Sequence, residues 1–202
     1  MAPALEIVLV KATEAYVQDQ SVINPMLEQL AATKGASGIY HGLAPEDGTL
    51  VLFVVWDAIT DHHALMADKV RYGALGAAFA RAADLSTANM FHVYLDHLAF
   101  LDAPLVSFVH ALPKAGVGAD ALAGPLAALN ARPVPAGGRP GGGAKAVEKD
   151  EFVELYGWDD VKAFEEASGQ QEVKQLLQQF SEVAEVAKKG RLQVVAYKKY
   201  QA

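Results

Sequence analysis

Six histidines, at positions 41, 62, 63, 92, 97 and 110, are the residues of this 202-residue chain best suited to acid–base or ligand chemistry, and five of them precede residue 98. Imidazole is the side chain whose ordinary pKa lies near neutrality, so an imidazole on a mostly apolar strand can serve as acid, base or haem ligand. Strand alternation places Met90, His92 and Tyr94 on one face, and Val106, Phe108 and His110 on one face of a later strand. The alternative for each is a histidine satisfied within the core or at its rim. His62 and His63 open a helix, where neighbouring residues point about 100° apart and cannot readily share one ion. His62 and Met66 form a one-face pair that reads as helix packing. No His-Glu-x-x-His, His-x-x-Glu-His or carboxylate-rich cluster appears, so no metal is expected. There is likewise no Gly-x-Ser-x-Gly elbow and no Gly-x-Gly-x-x-Gly after a strand, which removes the main support for a serine hydrolase or a dinucleotide enzyme. Tyr40, Glu46, Trp56, Tyr72 and Tyr94, with Phe53 and Phe91, form a second set: aromatic surface with a few polar handles, suited to orienting a flat or oily ligand or simply to packing a core.

These residues are carried by elements that occur twice. Glu6 to Lys11, Leu50 to Trp56 and Met90 to Leu95 in the first half match Leu105 to Leu112, Phe152 to Trp158 and Leu192 to Tyr197 in the second. The first half reads as a strand, a helix over 21–33, two strands (38–43 and 49–56) joined by the Pro-Glu-Asp-Gly turn at 45–48, a helix pair carrying Leu65, Met66, Tyr72, Leu75 and Phe79, and a closing strand. The second half reads as a strand, a helix over 118–130, strands at 144–148 and 152–158, helices at 160–166 and 171–189, and a last strand over 191–200. Strand, helix, strand, strand, helix, strand is the ferredoxin-like order. The predicted fold class is α+β: two ferredoxin-like units in tandem, residues 1–100 and 101–202, whose sheets face one another as an α+β barrel within one chain. Residues 132–143, rich in Pro and Gly, read as a mobile loop. Gly141 to Lys145 lacks the Gly-Lys-Ser/Thr of a phosphate loop.

Composition narrows the partners. With 52% hydrophobic residues the chain can bury a sizeable core. The net charge is −7, of which −6 falls in the first hundred residues, and an acidic field disfavours nucleic acid. The absence of cysteine excludes disulfides, thiolate nucleophiles and iron–sulfur clusters. The N-terminus lacks the pattern of a signal peptide and the apolar runs are of strand length, so a cytoplasmic protein without membrane insertion is expected.

Gly38-Ile39-Tyr40-His41-Gly42-Leu43 with Glu46, Phe53-Val54-Val55-Trp56-Asp57, His62-His63, Leu65-Met66-Ala67-Asp68, Tyr72 and Phe91-His92-Val93 together resemble the antibiotic-biosynthesis-monooxygenase-like (ABM) domains of the dimeric α+β barrel superfamily, especially fungal ones. The resemblance spans residues 5–96. Residues 104–200 keep Trp158-Asp159 and the closing strand, but not the histidine after the tryptophan or the His-Val pair. It implies a pocket in each unit and an activity such as cofactor-independent oxidation of electron-rich aromatics, haem degradation, dehydration or cyclisation. Carried onto this sequence, it makes Tyr40, His41, Trp56 and Tyr72 substrate-binding residues, with His92 as first and His63 as second choice for acid or base. A monooxygenase-like oxidoreductase of secondary metabolism, acting on an aromatic or polyketide-like substrate without a tightly held cofactor, is the leading expectation. A haem protein, with His41, His92 or His110 as ligand, is a second. A non-catalytic carrier of a small apolar ligand, or stress-associated protein, is a third. A monomeric pseudo-dimer with one working pocket and one mainly structural half is expected.

Overall fold

A computed structural model describes residues 2–201, and the chain divides into two compact units. The first runs to Tyr94 and also takes in the tail from Val194, while Leu95–Gln193 forms the second. In the first unit β1 (Ala4–Ala12) is followed by α1 (Glu14–Gln18), a 3-10 turn (Gln20–Ile23), α2 (Asn24–Ala31), β2 (Ala36–Ala44), β3 (Thr49–Trp56), α3 (Ile59–Ala67), α4 (Lys69–Phe79) and β4 (Ala83–Val93). The second unit contains β5 (Leu105–Pro113), α5 (Ala123–Asn130), β6 (Gly138–Lys145), β7 (Phe152–Trp158), α6 (Val161–Ser168), α7 (Gln171–Val183) and β8 (Ala184–Gln193), and the tail supplies β9 (Val195–Lys198). The sheets are antiparallel, in the orders β4-β1-β3-β2-β9 and β6-β7-β5-β8. Without β9 both have the same order of corresponding strands, so the fold is α+β with two successive ferredoxin-like units.

The period-2 pattern of β1 and β3 divides the first sheet into two faces. Ala4, Val8, Val10, Leu50, Leu52, Val54 and Trp56 pack with Met26, Leu27 and Leu30 of α2 and Leu65 of α3 in one core. Leu5, Ile7, Leu9, Phe53, Val55 and Phe91 point to the other face and are also buried. This is why β1 and β3 read as continuous apolar runs rather than as alternation. The repeated Trp-Asp has a local cause. Gly35 and Gly137 hold φ of +81° and +72°, and their carbonyls accept the backbone N–H of Asp57 and Asp159 at 2.8 Å in each case. Each left-handed glycine thus docks the start of one strand against the end of its neighbour.

Five stretches differ from the sequence reading. The first helix is shorter (24–31) and is preceded by α1, which Thr13 caps through its hydroxyl. The strand carrying His92 starts at Ala83, through a polar, exposed stretch that bulges between its partners Leu9 and Lys11. The apolar stripe extended as helix to 189 is helical only to Val183. From Ala184 the backbone is extended and pairs with β5, so ladder hydrogen bonds override a period that fits a helix. The loop expected over 132–143 becomes strand at Gly138, and β6 exists because its glycines permit close approach. Asn130 exchanges two hydrogen bonds with Gly143, its Nδ2 donating to the carbonyl (2.9 Å) and its Oδ1 accepting the N–H (2.6 Å). A Cβ on Gly141 would collide with the carbonyl oxygen of Leu155. The last strand, predicted over 191–200, is interrupted at Val194, and β9 pairs with β2 in the first sheet. No helix of the described residues is long and apolar enough to cross a membrane.

Gly141→Ala is expected to lower stability by about 1–3 kcal/mol, because backbone must move to admit the methyl group. Gly73→Ala, in the interior of α4 with open space around the glycine, should raise stability by up to about 1 kcal/mol. Thermal unfolding of the two variants measures both signs.

Candidate functional site

β1 pairs with β4 so that Glu6 lies opposite His92, and with β3 so that Glu6 lies opposite Val54, two residues before Trp56. All three side chains therefore project from the helix-covered face of the first sheet. Trp56 ends β3, and α3 begins three residues later, bringing His62 and Leu65 down onto the same face. The result is a buried polar cluster. The Trp56 indole N–H donates to Glu6 Oε2 at 2.7 Å, His62 Nδ1 and His92 Nε2 share a hydrogen bond of 2.8 Å, and His62 Nδ1 lies 3.6 Å from Glu6 Oε2. The His62 ring stacks on the Trp56 indole, with centroids 4.8 Å apart and planes within 14°. Glu6, His62 and His92 are exposed by only 6%, 2% and 1%, so these groups exchange hydrogen bonds mainly with one another rather than with bulk water.

Such an arrangement is able to relay a proton between its two rings. A bond between two imidazoles requires a donor on one ring and an acceptor on the other, so the facing nitrogens cannot both carry protons. If one ring gains a proton, the other accepts a bond from it, and the Glu6 carboxylate offsets the charge. The Trp56 bond orients that carboxylate. Tyr72, from α4, is half-buried with its ring centroid 6.4 Å from that of His62, and its phenol is pushed up first by burial and then by the charge of Glu6.

The residues singled out from sequence occupy three places. His92, Trp56 and Tyr72 belong to the cluster. His63 is exposed at its edge, its ring meeting that of His92 edge-on at 6.1 Å. His41 projects from β2 onto the same face but pairs elsewhere, with its Nδ1 2.7 Å from the Tyr16 hydroxyl of α1. Tyr40 points to the opposite face, where its hydroxyl accepts the backbone N–H of Tyr200 at 2.7 Å. Sequence reasoning missed Glu6 and His62. Glu6 carried a signal, a carboxylate in the middle of a strand buried on both faces. His62 shares the buried face of α3 with Leu65, whereas His63 is turned about 100° away. No local metal motif marks the cluster, because its three members come from three separate elements.

The second unit keeps the frame and carries other side chains at the positions of the cluster. Leu105 opposite Trp158 corresponds to Ala4 opposite Trp56, so Ser107 stands in the place of Glu6. The Trp158 indole donates to the Ser107 hydroxyl at 2.9 Å. Arg191 lies opposite Ser107 where His92 lies opposite Glu6, and Phe164, six residues after the tryptophan, replaces His62. Phe164 meets Trp158 edge-on and carries the Arg191 guanidinium 5.1 Å above its ring. His110 Nε2 shares a hydrogen bond of 3.0 Å with Glu151 Oε2. Elsewhere in this unit Glu154 takes the register position of the core residue Leu52 and lines a cavity of about 210 Å³ with Val109, Leu126, Leu129 and Phe180; burial pushes its carboxyl up to about 7.

The chain's likeness to known proteins lies in its fold. Among solved structures it resembles an anthrone oxidase-like protein (TM-score 0.71, 14% identity, 100% of this chain and 96% of that one). It also resembles a Fusobacterium nucleatum protein named "Putative monooxygenase" (0.63, 10%, 98% of each) and one named "Putative Chlorite dismutase" (0.59, 13%, 96% of each). What is shared is the fold, an α+β chain of two successive ferredoxin-like units. No family model and no curated protein matches the sequence.

The buried histidines carry a pH dependence. Burial lowers the His41 pKa to about 4, whereas the unfolded chain takes up that proton near the ordinary value of 6.5. Between these values the unfolded state binds more protons, so this contribution is fully present above pH 6.5 and is lost as pH falls toward 4, amounting to at most about 3 kcal/mol. The double variant Tyr16→Phe, His41→Leu removes both partners of the buried bond. Its unfolding free energy should fall less between pH 7.5 and 4.5 than that of the parent, and an equal fall would remove His41 from the account. Glu154→Leu, which restores the residue type of the first unit, should raise the melting temperature at pH 8, where a carboxylate in an apolar cavity is most costly.

Proposed function

We propose that the protein is an ABM-type oxygenase that oxidises an aromatic carbon acid, with the His62–His92 pair of the first unit as the base. The observation that carries this reading is the buried 2.8 Å bond between the two imidazoles with the Glu6 carboxylate beside it, on a sheet face whose counterpart in the second unit has serine, phenylalanine and arginine instead. The likeness in fold to an anthrone oxidase-like protein supports the substrate class. Anthrone has an acidic methylene whose carbanion is stabilised by the aromatic rings and the carbonyl, and such a carbanion can reduce dioxygen directly.

His92, donating from Nε2 to His62 Nδ1, takes the first substrate proton at its other ring nitrogen. The resulting imidazolium is bonded to His62 and faces Glu6, so the charge formed in the transition state meets a carboxylate already in place. The carbanion transfers an electron to dioxygen, and the two radicals combine into a peroxide at the same carbon. Loss of the second proton from that carbon breaks the O–O bond, giving a carbonyl and, with the protons returned, water. One dioxygen is consumed and one water formed for each methylene oxidised. Trp56 and Tyr72 pack the substrate and exclude water from the carbanion. His63 lies exposed at the edge of the cluster. His41 and Tyr40 brace the sheet and do not touch the substrate.

Oxygen uptake with anthrone tests the reading. His92→Ala is expected to lower turnover by about 10²–10⁴-fold. Glu6→Gln, which keeps an acceptor for the Trp56 N–H but removes the charge, should lower kcat more than it raises KM. Undiminished turnover in His92→Ala, or binding of anthrone with no oxygen uptake by the parent protein, would sink the proposal and favour a carrier.

A further inference from the structure

The three side chains at the centre of the first unit also constitute a set of metal donors. Glu6, His62 and His92 each offer one ligand atom, and these atoms lie within 4.8 Å of one another. Around an ion with bonds of about 2.0–2.2 Å, neighbouring ligand atoms sit roughly 3.0–3.5 Å apart at octahedral to tetrahedral angles. The separations here, 2.8 Å between the imidazole nitrogens and 3.6 Å from His62 Nδ1 to Glu6 Oε2, bracket that range. The third side, from His92 to the Glu6 carboxylate, is within 4.8 Å, so an ion could enter as the side chains close around it, the imidazole bond being exchanged for two metal bonds. The cluster has further features of a metal site: it is buried, and Trp56 orients the carboxylate by donating to Oε2.

We propose that Glu6, His62 and His92 bind a single first-row divalent transition-metal ion. Two neutral imidazoles with one carboxylate select such ions over Mg²⁺ and Ca²⁺, which prefer all-oxygen shells, and three protein donors leave coordination positions open. The ion takes the two facing nitrogens, the proton of their mutual bond moving to the other nitrogen of its ring or to solvent, so a pair occupied by metal cannot form the imidazole–imidazolium bond of the proposed base. Zn²⁺ is therefore an inhibitor of that reaction. The site itself follows from donor geometry and does not depend on the catalytic reading.

The test is titration of the whole protein, pretreated with chelator, with Co²⁺ followed by visible absorption. One equivalent should give the ligand-field bands of a low-symmetry, four- or five-coordinate N/O site, retained in tenfold excess Mg²⁺ and displaced by Zn²⁺. Glu6→Gln and His62→Ala should each weaken binding at least tenfold, while His63→Ala, adjacent in sequence but outside the triangle, should bind as the parent does. Circular dichroism of the variants establishes that they are folded, and Glu6→Gln retains the Trp56 acceptor if His62→Ala does not fold. Absence of saturable binding, or equal binding by folded Glu6→Gln, would overturn the site and leave the proposed base untouched. Anthrone oxidation that requires the ion would overturn the metal-free base and leave the site standing.

Discussion

The first unit depends on the register of β1. This central strand is paired on both sides, with β3 and β4, and its side chains alternate between two buried faces. A slip of one residue would send Glu6 to the opposite face and leave the Trp56 indole without its acceptor. The apolar residues on both faces oppose that slip: Val8 and Val10 belong to the helix-side core, and Leu5, Ile7 and Leu9 are buried on the other side. Packing therefore fixes the position of a carboxylate that would be costly to bury without partners. Once Glu6 is fixed, its orientation follows from Trp56, and the imidazole pair lies where its charge can be offset.

The two units separate what the fold requires from what chemistry adds. Both retain a left-handed glycine that binds the backbone after the tryptophan, a tryptophan ending the central hairpin, and an indole bond to the third residue of the opposite strand register. In one unit the acceptor is Glu6 and in the other Ser107. The indole bond is thus common to both frames, while the carboxylate and its two histidines are particular to the first. In the second unit the same positions hold a guanidinium over an aromatic ring, a pair that bridges strand and helix.

Much of the fold was legible in the chain. The runs 6–11, 49–56, 105–112 and 152–158 read as strands from their apolar residues and bounding turns, and β3 and β7 coincide with two of them. Legibility failed where local pattern and long-range pairing disagree. Val183 and Val186 continue a helical stripe, yet β5 claims Val186 for a strand. Gly138 to Gly143 looks like a loop because glycine is a weak strand former, yet close contacts with Leu155 and Asn130 require residues without side chains there. The site was half legible. His92 and Trp56 stood out by type and context, but His63 was preferred to His62 because sequence alone does not show which side of α3 meets the sheet.

By itself the sequence determined the α+β class, the repeat, the concentration of histidines in the first half and the lack of any thiol chemistry, since each follows from residue types and short-range periodicity. Tertiary structure alone decided that Glu6, His62 and His92 meet, that His41 is turned toward Tyr16, and that Tyr40 faces the other way. The reason is physical. The three members of the cluster lie on β1, α3 and β4, separated by 56 and 30 residues, and only strand register and helix rotation bring their ring nitrogens and carboxylate oxygen within a few ångströms.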